Sequence, residues 1–144
     1  MKSYEMLMPL AAQTETAVAL GYFDGVHLGH RAVLCAAVKA AKEQGLCSAA
    51  FTFALPESGG FKGKHILSAQ EKHRRIESLG IEHYMRPPFD AFCALSPKAF
   101  VFDLLQNMFH AKLVFCGANF TFGKDKAGDV ALLKTLCSAA GIGV

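Results

Sequence analysis

The stretch TAVALGYFDGVHLGHRAVLCAAVKAAKE, residues 16–43, decides the fold. TAVALG (16–21) is an apolar run of strand length that ends on glycine and reads as the first strand. From about His27 to Glu43 the period changes. Leu34, Ala37, Val38 and Ala41 fall on one helical face, Lys39, Lys42 and Glu43 occupy the last turns, and Gly45 stops the helix. Between the two lies a short glycine-rich turn. The chain keeps this alternation outward from there. LCSAAFTFAL (46–55) is a second buried strand, and PESGGFKGK after it is a surface loop. Ser68 and Glu71 form a capping box for a helix that ends at Gly80, and IEHYM (81–85) is a third strand. Ser96-Pro97 opens a helix through AFVFDLLQNMF, and KLVFCG (112–117) is the fourth strand. Asp129 caps VALLKTLCSAA, and a further strand begins at GIGV. Strands alternating with helices predict an α/β protein, a parallel sheet covered by helices.

Length and composition agree. A chain of 144 residues suits one domain, with no repeat or linker to divide it. Apolar residues make up 52% and charged residues 19%, which excludes intrinsic disorder. A net charge of +3 is too mild to argue for nucleic acid or an anionic membrane, though it is compatible with a phosphate-bearing ligand. Five cysteines without a CxxC pair read as reduced thiols of a cytoplasmic protein. No run approaches the roughly 18 apolar residues of a spanning helix, and Met6 to Ala12 behind Lys2 is too short an apolar core for a signal peptide.

The chemistry concentrates in GYFDGVHLGHR (21–31), between the first strand and its helix, where open α/β sheets place ligands. Gly21, Gly25 and Gly29 allow sharp turns and a close approach of backbone to ligand. His27 and His30 are three apart at a helix opening, so their rings converge with the free backbone amides on one small volume. An anion there gains from the helix dipole as well, and phosphate is the natural guest. The segment is neither a Walker loop nor GxGxxG, and a zinc reading lacks the H-E-x-x-H spacing and a nearby third ligand. The plainer alternative, that both histidines only decorate a helix N-terminus, leaves three glycines and Asp24 in one short stretch without a role.

G-Y-F-D-G-V-H-L-G-H resembles the G-x-F-D-G-x-H-x-G-H signature of the nucleotidyltransferase superfamily. Within it, the resemblance is to the FMN adenylyltransferase module of bacterial bifunctional riboflavin kinase/FAD synthetases. Later segments agree in order: FTFALP (51–56), LSAQEKHRRIESLGIEHY (67–84), PFDAFCALSPKAFVFDLL (88–105) and CGANFTFGKDKAGD (116–129). The match runs over roughly residues 15 to 144.

The resemblance implies a Rossmann-like parallel sheet with helices on both faces, lacking its C-terminal end, in a single nucleotidyltransferase-like domain over 1–144 with no riboflavin kinase domain. It implies attack of an FMN phosphate oxygen on the α-phosphorus of ATP, giving FAD and pyrophosphate. Mg2+ would travel with ATP and no all-protein metal site would be built. His27 and His30 would be catalytic, and Gly21, Phe23, Asp24, Gly25 and Gly29 would hold the nucleotide. Asp24 has two readings, contact with the substrates or their metal and a strut shaping the turn. Asn119, Phe120, Phe122, Phe53 and Pro56 would line the flavin site, although alternating phenylalanines after a buried strand also suit a core. Lys62, Lys124 and Lys126 are further candidates for phosphate or simple surface groups. Two departures stand out: Leu55 precedes Pro56 where the family often has a polar residue, and no Ser-Ser-Thr-x-x-Arg segment follows Val144. A binding module without turnover, or a nucleotidyltransferase for another phosphorylated substrate, are the alternatives.

Overall fold

The computed structural model describes residues 1–11, 13–21, 28–52, 69–118, 120–124 and 127–144. β2 (Thr16–Leu20) is an interior strand whose five residues are all buried; β1 is the short N-terminal strand Lys2–Tyr4. Helix α1 (Leu28–Gln44) leads to β3 (Cys47–Phe51), and α2 (Ala69–Ser78) leads to β4 (His83–Met85). After a 3-10 turn at Phe89–Ala91 come α3 (Pro97–Ala99), a π-helical continuation at Phe100–Gln106, β5 (Ala111–Phe115) and α4 (Val130–Ala139).

The five strands form one parallel sheet in the order β1-β4-β3-β2-β5. β2 pairs β3 residue for residue, from Thr16 opposite Cys47 to Leu20 opposite Phe51, and takes β5 on its other flank. The chain therefore runs outward from β2 through β3 to β4, then crosses back to the far side of β2. The expected further strand begins beside β5. Gly143 pairs in parallel with Leu113, its amide donating to the Lys112 carbonyl at 2.9 Å and its carbonyl accepting from the Val114 amide at 2.8 Å.

Alternation along the strands divides the core between two faces. Ala19, Ala50 and Tyr84 face Leu34, Ala37 and Val38 of α1 and Ile76 of α2. Val18, Leu20, Phe51, Met85 and Val114 face the other layer, supplied by Phe100, Val101, Leu104, Phe109, Leu133 and Cys137. Small residues on the first face let α1 lie close to the sheet. Aromatic side chains fill the second, where Phe51 meets Phe92, Phe100 and Phe109 edge-on at 5.2–5.9 Å. Helices thus cover both faces of a parallel sheet, as expected.

The predicted caps hold where they are described. Ser96 Oγ accepts from the Ala99 amide at 3.1 Å, and Asp129 Oδ1 from the Leu132 amide at 2.9 Å. Gly45 and Gly80 end α1 and α2 with φ of 68° and 99°. Ser68, the end of the second strand beyond Thr52 and the PESGGFKGK loop lie outside the described residues.

Three readings need correction. β1 was not foreseen. Its burial is slight, and it stands on pairing with β4 rather than on an apolar pattern. The strand expected over 81–85 is paired only from His83, because Ile81 is a buried approach residue packed against Ile76 and Val38. The helix from Pro97 becomes π-helical after one turn. The amides of Met108 and Phe109 both donate to the Leu104 carbonyl at 3.1 Å, and the wider turn brings Phe109 onto the buried face with Val101, Leu104 and Leu105.

Candidate active site at the switch point

In a sheet of this order the direction of winding reverses between β2 and β5, and the crevice beyond the carboxyl ends of those two strands is the natural ligand position. β2 leaves the sheet at Gly21, whose amide donates to the Phe51 carbonyl at 3.2 Å. β5 leaves at Cys116 and Gly117, and a side chain built on Gly117 would meet nothing within 4 Å. Helix α1 starts above the same ends.

The first turn of α1 contains Leu28, Gly29 and His30 and no acidic residue. Its amides lack intrahelical acceptors, and no carboxylate in that turn offsets the positive end of its dipole. His30 is half-buried and lies one turn before Leu34, a fully buried core residue on the sheet-facing side of α1. Residues at i and i+4 share a face, so His30 continues the sheet-facing stripe beyond the core, towards the carboxyl end of β2. Gly21, Gly29 and His30 are therefore brought together at one strand–helix junction. His27, Phe23, Asp24 and Gly25 lie outside the described residues, as do Phe53, Pro56, Asn119, Lys62 and Lys126.

On the β5 side the chain turns at once, the Phe120 amide donating to the Gly117 carbonyl at 3.1 Å. Phe120 is half-buried and stacks on Phe122 with ring centroids 6.0 Å apart and planes 11° from parallel. Phe122 is 5% exposed and packs on Phe100, so its ring belongs to the aromatic core. Its backbone pairs in both directions with Gly128, where a Cβ would come within 2.6 Å of the Phe122 ring, so glycine is needed to close the loop on that ring. Exposed Lys124 is tied by its amide to the Leu95 carbonyl at 2.7 Å.

Two thiols flank this side, Cys116 after β5 and Cys137 in α4. Burial pushes both up, Cys137 to about 11 with the neighbouring Cys116 adding to the shift, while Lys134 pulls Cys116 the other way. Both stay protonated at neutral pH and neither is poised as a nucleophile. Among the described residues no cluster of three or more His, Cys, Asp or Glu could hold a metal ion.

A strand end facing a helix N-terminus that bears histidine is a phosphate seat common to many nucleotide-binding sheets. Sequence comparison narrows it. Residues 10–144 match the family described as FAD synthetase. The chain belongs to the FAD synthetase family. It is 37% identical over 137 residues to a Geobacillus thermodenitrificans protein named for a bifunctional riboflavin kinase/FMN adenylyltransferase, covering 88% of this chain and 75% of that one. It is 31% identical over 148 residues to a Listeria monocytogenes FAD synthetase, covering 99% of this chain and 59% of the relative. Among solved structures it is similar to one titled as a macrolide-efflux protein from Streptococcus pneumoniae. There the TM-score is 0.78 and identity 27%, over 93% of this chain and 46% of that chain. The family member here thus spans little more than half of the Listeria protein and under half of the Streptococcus chain. Among the described residues, no helix is long and apolar enough to cross a membrane.

One cluster escaped the sequence reading. Arg74, Arg86, His73 and Tyr84 line a cleft at the opposite edge of the sheet, against β1. His73 and Arg74 lie on α2, Tyr84 on β4 and Arg86 just after it, and β1 completes the wall with Ser3 and Tyr4. The nearest signal in the sequence was an arginine directly after the IEHYM strand.

Proposed function

We propose that residues 1–144 form one adenylyltransferase module that transfers the adenylyl group of MgATP to FMN, giving FAD and pyrophosphate. The observation that carries this reading is the placement of His30 in an acid-free first helical turn at the β2–β5 switch point, in a member of the FAD synthetase family. A phosphate oxygen of FMN attacks the α-phosphorus of ATP. The new P–O bond forms as the bond to the β-phosphate bridge breaks, and pyrophosphate leaves with the electron pair. No enzyme nucleophile is required, in keeping with the protonated state of Cys116 and Cys137.

In this reading the protein orients two anions and spreads their charge. The α1 amides and His30 hold the ATP phosphates, with His27 as the second histidine and Gly21, Phe23, Asp24, Gly25 and Gly29 shaping the loop. Asn119, Phe120, Phe53 and Pro56 border the flavin, and Phe122 supports Phe120 from the core. The magnesium ion arrives bound to ATP and is held by phosphate oxygens and water. The substrates place the reaction in the cytoplasm, and nucleic acid has no part in it.

The test is to mix the chain with FMN and MgATP and to follow FAD and pyrophosphate together. Equal amounts of both are expected, with no pyrophosphate when FMN is replaced by riboflavin. Binding of FMN and MgATP without product would make the chain a binding module. Turnover with another phosphorylated acceptor but not with FMN would overturn the substrate assignment.

A further inference from the structure

The edge of the sheet away from the switch point holds a cavity of about 470 Å3, within the roughly 300–1,000 Å3 typical of small-molecule sites. It opens between the carboxyl ends of β1 and β4 and the first half of α2. Arg74 reaches it from α2 and Arg86 from the residue after β4, with His73, Tyr84, Gln70 and Ser3 completing the wall. Glu5 is the one carboxylate along the wall among the described residues, and it is exposed. Neither guanidinium has a described carboxylate within 4.0 Å.

The position of Arg86 is fixed, because its amide donates to the Tyr4 carbonyl at 2.8 Å in line with the β1–β4 pairing. Its side-chain Nε is nevertheless buried without a hydrogen-bond partner. A buried cationic donor left unmatched is costly, and an anion supplied from outside removes that cost. His73 is held in place alongside, with Nε2 2.7 Å from Ser3 Oγ and its ring edge-on to Tyr84 at 5.7 Å. Two arginines converging on one cleft present planar donor forks, the geometry that suits a phosphate dianion.

We propose that this cleft is a second ligand site, which takes a small molecule through a phosphate monoester held between Arg74 and Arg86. It is separate from the switch point. β4 and β1 lie two and three strands from β2, about 10–14 Å across the sheet at the usual strand spacing. The site stands on its own residues and does not depend on the adenylyl-transfer reading.

The test is a titration of the full chain with inorganic phosphate and with glycerol phosphate, each against sodium chloride of equal ionic strength. It is followed by NMR of the arginine Nε–Hε groups and the backbone amides. A saturable shift of the Arg86 Nε–Hε signal is expected with both probes. Arg74→Gln, at an exposed position, should weaken it about tenfold or more, as loss of one charge-assisted contact requires. His30→Ala should leave it unchanged. The proposal fails if Arg86 responds no more than in sodium chloride. It also fails if Arg74→Gln leaves the affinity unaltered, or if the response maps to the first turn of α1 and disappears in His30→Ala. Arg86→Gln, accepted only if its thermal melt stays cooperative, should abolish the saturable shifts of the Arg74 Nε–Hε and of the cleft backbone amides, and Arg74→Gln decides the matter if that variant does not fold.

Discussion

The centre of the sheet and its β1–β4 edge are held together by different forces. At the centre, β2 is buried along its whole length between two parallel neighbours, over an aromatic layer built on Phe51, Phe100 and Phe109. At the edge, polar contacts tie β1 down. Ser3 bonds His73, Tyr4 Oη lies 3.1 Å from His83 Nδ1 with the rings stacked, and the N-terminal ammonium reaches Glu77 at 3.3 Å. The switch point with His30 sits beside the deeply buried part. The cleft with the two arginines sits on the part held by polar contacts.

The contrast can be broken most forcefully at the centre. Phe109 is fully buried, and Phe109→Ala should cost about 3–5 kcal/mol in denaturant unfolding, since the cavity lies against Phe51 and both sides of the layer relax only in part. A loss below about 1 kcal/mol would mean that the aromatic layer does not hold the switch point. A smaller effect is expected at the margin of the same layer. Asp129→Ala removes the cap on α4 and should cost about 1 kcal/mol, with the Leu132 amide the first to lose hydrogen-exchange protection.

The smallest effect belongs to the edge and depends on pH. Burial holds His83 below its ordinary value of 6.5, with Lys2 and the N-terminus adding to the shift and Glu82 opposing it. Below about 6.5 the unfolded chain takes up a proton there that the folded chain resists, so stability falls as pH drops through that window and is flat above it. Between pH 7.5 and 5.5, exchange corrected for intrinsic rates should accelerate at the Lys2 and Arg86 amides, which carry the β1–β4 pairing and should open at lower free energy than Val18 or Ala19 throughout. His83→Gln should remove the acceleration. Equal protection at both places would erase the distinction between centre and edge.

The same division governs what could be read in the sequence. β2, β3, β5, α1 and α4 are apolar runs or clean helical stripes with recognisable caps, because burial on the sheet or against it dictates their residues one by one. Lys2–Tyr4 carries no such pattern, since an edge strand is held by main-chain pairing that leaves little mark on side-chain identity. The π-helical turn was hidden for a related reason. Phe100, Val101, Leu104 and Leu105 fit an ordinary helix, and only the place of Phe109 in the core demands the wider turn. Of the site, Gly21, Gly29 and His30 could be located from their position between a strand and a helix. The alternating Phe120 and Phe122 could not be separated into border and core, because both hydrophobic burial and a flavin favour the same side chain. Arg74 and Arg86 gave no signal, because the polar wall that joins them is closed by Ser3 and Tyr4 of an edge strand without an apolar pattern.

The role of His30 is tested most directly by one rate comparison: FAD formation at saturating FMN and MgATP by the native chain and by His30→Ala. If His30 stabilises the charge that develops at the α-phosphorus, the variant should lose about 10²–10³ in kcat while FMN and MgATP bind within a few-fold of their native affinity. An unchanged kcat would contradict it, and the helix N-terminus at the switch point would then be a place where phosphates rest and not where they react.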